Sequence, residues 1–266
     1  MTIVYNCAKL TIMGRQNRSI INNLLRSWPK NTVAVYAWLD GQGVYRQLAG
    51  TYVKSRWIER VGQGAFKRAG GDLEWSGGLY ALQTQLGMSV HPAGKTALQL
   101  QGNAHYLPAS LKQAKIVLFG SKKEKLPAWF KNYKWGIDIR YVMTGLFEKD
   151  IALGLTTYNT GNYEIKISSP ERAALEFCYD VPIRESFDEL DQIMSGLITL
   201  RPRMVQELLE KCGSIKAKRL FMYLAEKHDH TWVNKLELER VDFGTGKRSL
   251  CNNGHYDSRY KIVVPK

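Results

Sequence analysis

The chain has 266 residues, 44% hydrophobic and 23% charged, with 38 Lys and Arg against 24 Asp and Glu for a formal net charge of +14. This is a globular balance, long enough for one large domain or two ordinary ones, and the basic excess favours a polyanionic partner because Lys and Arg that neutralise phosphates release counterions. The opening MTIVYNCAKLTIMGR lacks the continuous apolar stretch of a secretory leader and no apolar run long enough to cross a bilayer occurs, which argues against secreted and membrane classes and for a soluble cytoplasmic protein.

The charge is uneven. From Met1 to Gly71 eleven Lys and Arg face two acids, Asp40 and Glu59, so that +9 of the +14 sits in the first 71 residues. The four cysteines, Cys7, Cys178, Cys212 and Cys251, are far apart and form no C-x-x-C pair, which predicts reduced thiols rather than a disulfide framework or a zinc site.

In chain order, NRSIINNLLRSW (17–28) sets Ile20, Ile21, Leu24, Leu25 and Trp28 on one helical face, and Pro29 stops it. Thr32 is placed to cap a short helix through Leu39, and the turn Asp40-Gly41-Gln42-Gly43 follows. A third helix is predicted from Val44 to about Arg56, with Val44, Leu48, Tyr52 and Val53 inward and Gln47, Thr51, Lys54 and Ser55 on another face. The segment WIERVGQGAFKRAG (57–70) then reads as a hairpin with a Gly-Gln-Gly tip, anchored by Trp57 and Phe66. Helix, helix, glycine turn, helix and basic hairpin is the order of a winged helix-turn-helix.

A helical pattern runs from Asp72 to Leu86, with Gly77-Gly78 as its weak point, and a domain boundary is placed near Ser89–Gly94. Strands are predicted at Lys115–Phe119, Ile137–Tyr141 and Tyr163–Ile167. Helices follow from Pro170 through ERAALEFCY, in SFDELDQIMSGL, in RMVQELLEKC and in SIKAKRLFMYLAEKH, and YKIVVPK reads as a last strand. The fold class is therefore mixed α+β. An N-terminal winged helix-turn-helix occupies residues 1–90, and a larger mixed α/β domain occupies 91–266.

A recognition helix presents short polar and basic side chains to base edges, while a wing reaches phosphate. Gln47, Thr51 and Ser55 suit base edges, with Arg46 near the helix start. Lys54, Arg56, Lys67 and Arg68 suit phosphate, Gln63 sits at the tip, and the tip glycines bring backbone N–H groups close to a phosphate. The bland alternative is a solvated basic face that docks protein.

A second grouping, Asp138 with Glu164 and Lys166, has the skeleton of a metal-dependent phosphodiesterase, but Glu-x-Lys is common on any half-exposed strand. GTGKR (244–248) lacks the first glycine and the hydroxyl of a phosphate loop, so it reads as a basic glycine turn. His228-Asp229-His230 has no further ligand at metal spacing and reads as a polar helix terminus. Lys216–Arg219 reads as a solvated basic helix face, with a DNA or partner contact as the alternative. No catalytic residue, metal or cofactor is assigned.

The segments HPAGKTALQLQGNAHYL (91–107), SSPERAALEFCYDVP (168–182), LRPRMVQELLEKCGSIKAKRLFMYLAE (200–226) and DFGTGKRSLCNNGHYDSRYKIVVP (242–265) together resemble the AbiEi antitoxins, and the stretch ending in WIERVGQGAFKRAG resembles that family's winged domain. The resemblance runs from about Arg15 to Pro265. It implies a transcriptional repressor that binds inverted repeats in double-stranded promoter DNA of its own module. It also implies a C-terminal antitoxin domain that opposes a nucleotidyltransferase toxin, AbiEii-like, without a stable complex. Ser169 would cap the helix of its Ser-Pro-Glu-Arg motif, with Glu171 in the first turn. A nuclease using Asp138, Glu164 and Lys166, or a module that docks the toxin directly, are the alternatives.

Overall fold

The structure is a computed structural model and describes residues 19–102 and 115–266. Cys7, the basic residues Lys9, Arg15 and Arg18, the first two positions of the 17–28 helix and the end of the 91–107 segment lie outside them. Two compact units form. The first takes its described residues from Met1–Met88, Leu126–Trp135 and Asn159–Ile165, the second from Ser89–Lys125, Gly136–Tyr158 and Lys166–Lys266.

In the first unit, helix α1 covers residues 19–27, followed by β1 (Ala34–Val35), α2 (Tyr36–Gly41), α3 (Arg46–Lys54), β2 (Ile58–Gly62), β3 (Ala65–Arg68) and α4 (Trp75–Thr84). The three strands form an antiparallel sheet in the order β1-β3-β2. Ile21, Leu24, Trp28, Leu39, Val44, Leu48, Tyr52, Ile58 and Phe66 share one core, so the apolar stripes of α1 and α3 point where their periodicity predicts.

Three local expectations are corrected. Thr32 caps nothing: its hydroxyl donates to Pro29 O at 2.8 Å and accepts from Trp28 Nε1 at 3.0 Å. Instead the chain forms β1, the side-chain amide of Gln85 bonds the preceding Val33 O at 2.9 Å and the strand's Val35 N at 2.8 Å, and α2 starts at Tyr36. A short edge strand is thus closed by one glutamine. Trp57 is 50% exposed and anchors nothing, while Ile58 and Phe66 are the buried hairpin residues. Gly77 and Gly78 are a close approach rather than a weak point. A Cβ at Gly77 would strike Asn31 O, and one at Gly78 the Trp135 ring.

In the second unit, β4 (His91–Pro92) runs antiparallel to β5 (Lys115–Ser121), which runs parallel to β6 (Asp138–Thr144), with α5 (Gly94–Leu100) after β4. In the first unit, α6 (Ala128–Asn132) packs against β2. β7 (Leu155–Asn159) and β8 (Glu164–Ser168) pair with each other. Helices α7 (Pro170–Asp180), α8 (Phe187–Ser195), α9 (Pro202–Lys211) and α10 (Ile215–Lys227) follow. A small sheet of β9 (Arg248–Ser249), β10 (His255–Asp257) and β11 (Ile262–Val264) closes the chain. The large core of the unit gathers around α7, whose residues 171–178 are buried on every side.

A helix buried all round must pair its charged groups. Glu171 accepts from Arg201 N at 3.0 Å and from Arg201 Nε and Nη2 at 2.9 Å each. Burial alone would raise its pKa, but these bonds hold it down at about 2. Glu176 accepts from Gly94 N at 3.1 Å, Ser168 Oγ at 2.7 Å and Arg172 Nε at 2.8 Å, and faces His91 Nε2 at 3.1 Å. Burial opposes its ionisation, but the Arg172 guanidinium together with the His91 and Ser168 bonds outweighs it, so the carboxyl stays well below the usual range. Ser169 holds the N-cap position of α7 without a side-chain cap bond. Of the cysteines, Cys178 and Cys212 are buried free thiols, Cys251 is partly buried and free, and burial pushes Cys212 up to about 11. No described helix is long and apolar enough to cross a membrane.

The Lys216–Arg219 block is neither a solvated face nor a contact surface. Lys216 Nζ donates to Tyr179 O at 2.6 Å and also to Val181 O, and Lys218 and Arg219 are buried. The Arg219 guanidinium donates to Phe243 O at 2.7 Å, Gly244 O at 2.9 Å, Gly246 O at 2.5 Å and Lys261 O at 3.1 Å. It therefore orders the backbone of the DFGTG turn from inside.

Candidate nucleic-acid interface

The α2–α3 turn is made by Gly43 at φ +80°, with Gly43 N donating to Asp40 O and Val44 N to Leu39 O at 2.9 Å each. It aims α3 so that Leu48, Ala49 and Tyr52 are buried, while Arg46, Gln47, Thr51 and Lys54 are exposed. These four, with Gly50 between them, recur at the spacing of one helical face. The Thr51 hydroxyl donates to Gln47 O at 3.0 Å, which leaves its methyl and lone pairs outward. Ser55 caps the C-terminus of α3, and Arg56 follows at φ +58°; both are exposed.

The wing pairs Ile58 with Arg68, Glu59 with Lys67 and Arg60 with Phe66, and a register shift between Arg60 and Gly62 bends its tip. Gly64 turns the tip at φ +71°, and its carbonyl accepts from Tyr36 N at 2.7 Å. Gly62 has a different reason to lack a side chain: a Cβ there would lie 2.7 Å from the Trp129 Cβ of α6. One of the two tip glycines is therefore spent on packing, and only Gly64 has the turn role.

Between α3 and the wing lies a cleft of about 380 Å³ lined by Tyr36, Arg46, Gly50, Arg60, Gln63 and Phe66. Both arginines lie over rings, Arg46 Cζ 5.3 Å from the Tyr36 centroid and Arg60 Cζ 5.7 Å from that of Phe66. Stacking of this kind restrains a guanidinium while leaving its N–H fork free for phosphate or a guanine edge.

Lys67 and Arg68 are half-buried and bonded within the unit. Lys67 Nζ lies 3.2 Å from Glu59 Oε2 and donates to Gly71 O at 3.0 Å. The Gly70 N–H and Lys67 bonds together hold the Glu59 carboxyl below its ordinary range. Arg68 turns back over the Trp28 ring at 6.0 Å and donates through Nη2 to Leu25 O, and burial lowers its pKa. These two of the four side chains expected on phosphate thus fasten the wing to α1 and to its own base. Arg60, exposed next to the tip and lying over its cross-strand partner Phe66, is a cation that sequence reasoning left out of the interface.

The phosphodiesterase grouping is divided between two sheets. Asp138 begins β6 and is paired with Lys115 Nζ at 3.2 Å, whereas Glu164 and Lys166 belong to β8 of a different sheet. Among the described residues no group of three or more His, Cys, Asp or Glu is placed to hold a metal ion. His228 Nε2 lies 2.8 Å from Asp191 Oδ1 and His230 Nε2 2.7 Å from Met194 O, so both act as helix-end fasteners.

No curated protein matches the chain. Among solved structures, the RV2827C protein from Mycobacterium tuberculosis has a similar fold, with a TM-score of 0.59 over 92% of this chain and 89% of its own at 14% identity. Residues 17–109 match the family described as transcriptional regulator, AbiEi antitoxin N-terminal domain. Residues 113–265 match transcriptional regulator, AbiEi antitoxin, type IV TA system. With nearly its whole length matched, the chain belongs to the AbiEi antitoxin family of type IV toxin–antitoxin transcriptional regulators.

Proposed function

We propose that the N-terminal domain, residues 1–90, binds double-stranded DNA in the promoter of its own module through inverted repeats and represses transcription. The C-terminal domain, residues 91–266, carries the antitoxin function against a nucleotidyltransferase toxin. The observation that carries the DNA-binding half is the continuous exposed face of Arg46, Gln47, Thr51 and Lys54 opening into a cleft bounded by Arg60 and Gln63. In this reading α3 enters the major groove. Gln47, Thr51 and Ser55 meet base edges, Arg46, Lys54, Arg56 and Arg60 meet phosphates, and Gln63 follows the adjoining backbone. Lys67 and Arg68 support the wing from behind.

Footprinting tests it: the full chain should protect paired, oppositely oriented half-sites upstream of its own coding sequence, and Gln47→Ala should change the preferred sequence. Protection spread evenly along the duplex, unaltered by Gln47→Ala, would overturn specific recognition. The antitoxin half is tested by co-expression with the neighbouring nucleotidyltransferase, where growth should be restored by the C-terminal domain's function without a co-purifying complex.

A further inference from the structure

Gly50 is out of place by the rules of an isolated helix. It sits in the middle of the nine-residue α3, where glycine costs stability relative to alanine because it gives up more backbone freedom. Glycines elsewhere in the described helices have internal reasons. Those at 77 and 78 are pressed against neighbouring atoms, Gly94 begins its helix at φ +50°, and Gly41 ends its helix. Gly50 has none: its φ is not positive, and a Cβ built on it would meet nothing within 4 Å. The missing side chain lies on the outward face of α3 and lines the same cleft as Arg46, Arg60 and Gln63.

We propose that Gly50 is a close-approach position for duplex DNA. The α3 backbone there packs against the floor of the major groove, closer than any side chain would permit, and that depth sets the reach of Gln47 and Thr51 to base edges. The proposal rests on the reading of α3 as the DNA-facing helix. It assigns a specificity role to a residue with no side chain, and it explains a glycine that the chain's own packing leaves unexplained. A methyl group forced into a filled contact displaces the whole helix, as overpacking does in a core.

The test is Gly50→Ala in the full chain, measured for melting temperature and for binding to a duplex spanning the region immediately upstream of the protein's own coding sequence, with a shuffled duplex beside it. Melting should rise by about 1–3 °C. Affinity for the upstream duplex should fall about five- to a hundredfold. The shuffled duplex should be affected less, since non-specific binding keeps the helix farther out. A lower melting temperature would overturn the proposal by showing that the fold needs the glycine, and raised melting with unchanged affinity would overturn it by showing that nothing packs there. Arg46→Ala with Arg60→Ala in the same assay separates the layers. If that pair weakens binding and Gly50→Ala does not, only the close approach fails. If neither matters, the α3 face itself is not the interface and the proposal falls with it.

Discussion

Replacing Arg219 by methionine removes the guanidinium while keeping most of the apolar stem in the α10 core. Four carbonyls lose their donor at once: Phe243, Gly244, Gly246 and Lys261. Hydrogen bonds to a charged donor are worth about 1.5–3 kcal/mol each, and simple addition would overshoot because the guanidinium also gives up its hydration on burial. Gly244 and Gly246 are exposed, so their carbonyls can turn to water, whereas Phe243 is only partly so. The expected net loss is about 2–4 kcal/mol, concentrated in the 243–261 segment. Hydrogen exchange read by peptide mass, with a urea melt alongside, measures both quantities. Amides of residues 243–261 should exchange faster well below the global transition, and Arg219→Lys should recover only part of the loss because an ammonium cannot fork to four carbonyls. A loss under about 0.5 kcal/mol with unchanged exchange would refute the claim that this buried cation orders the turn.

Two further outcomes follow from the same reasoning. Glu171 has a folded pKa of about 2 against an ordinary 4.5, so its contribution is fully present above 4.5 and is lost as pH falls toward 2. Because the Arg201 side chain is 61% exposed, that contribution is screened to about 1–2 kcal/mol, and a Glu171→Gln chain should be less stable by that amount at neutral pH, with the gap closing in acid; a gap independent of pH would contradict the ion pair. Arg68→Ala should lower the melting temperature of the first unit while leaving the log–log salt slope of DNA binding unchanged, since the side chain is turned onto Leu25 O and Trp28. A slope reduced by about one, with melting intact, would return Arg68 to phosphate.

The longer helices of both units were legible because their apolar residues repeat at three and four positions, whereas the short α5 and α6 were not read, and the wing was legible because a glycine tip separates two short β-prone runs. The two-residue strand β1 left no such pattern. Its pairing is fixed by Phe66 and Ala65 across the sheet and by the Gln85 amide fifty residues on, contacts that only tertiary structure supplies. Charged residues misled most. Arg68, Lys216 and Arg219 read as surface because basic residues usually are, and nothing local reveals that carbonyls await them inside. Glycines were ambiguous in the same way: Gly62, Gly64 and Gly77 look alike in sequence, yet one yields to Trp129, one makes a turn and one admits Asn31. At the candidate interface the outward face of α3 followed from helical spacing, whereas Arg60 emerged only once the wing's register was known.

The central claim, that α3 and the wing form a DNA-binding surface, is tested most directly by the salt dependence of binding to the upstream duplex for the parent chain and for Arg46→Ala with Arg60→Ala. Each lost phosphate contact should reduce the magnitude of the log–log slope by about 0.9, so the double change should flatten it by about two and weaken binding at low salt, with the melting temperature preserved. An unchanged slope and affinity in a folded double variant would contradict the account.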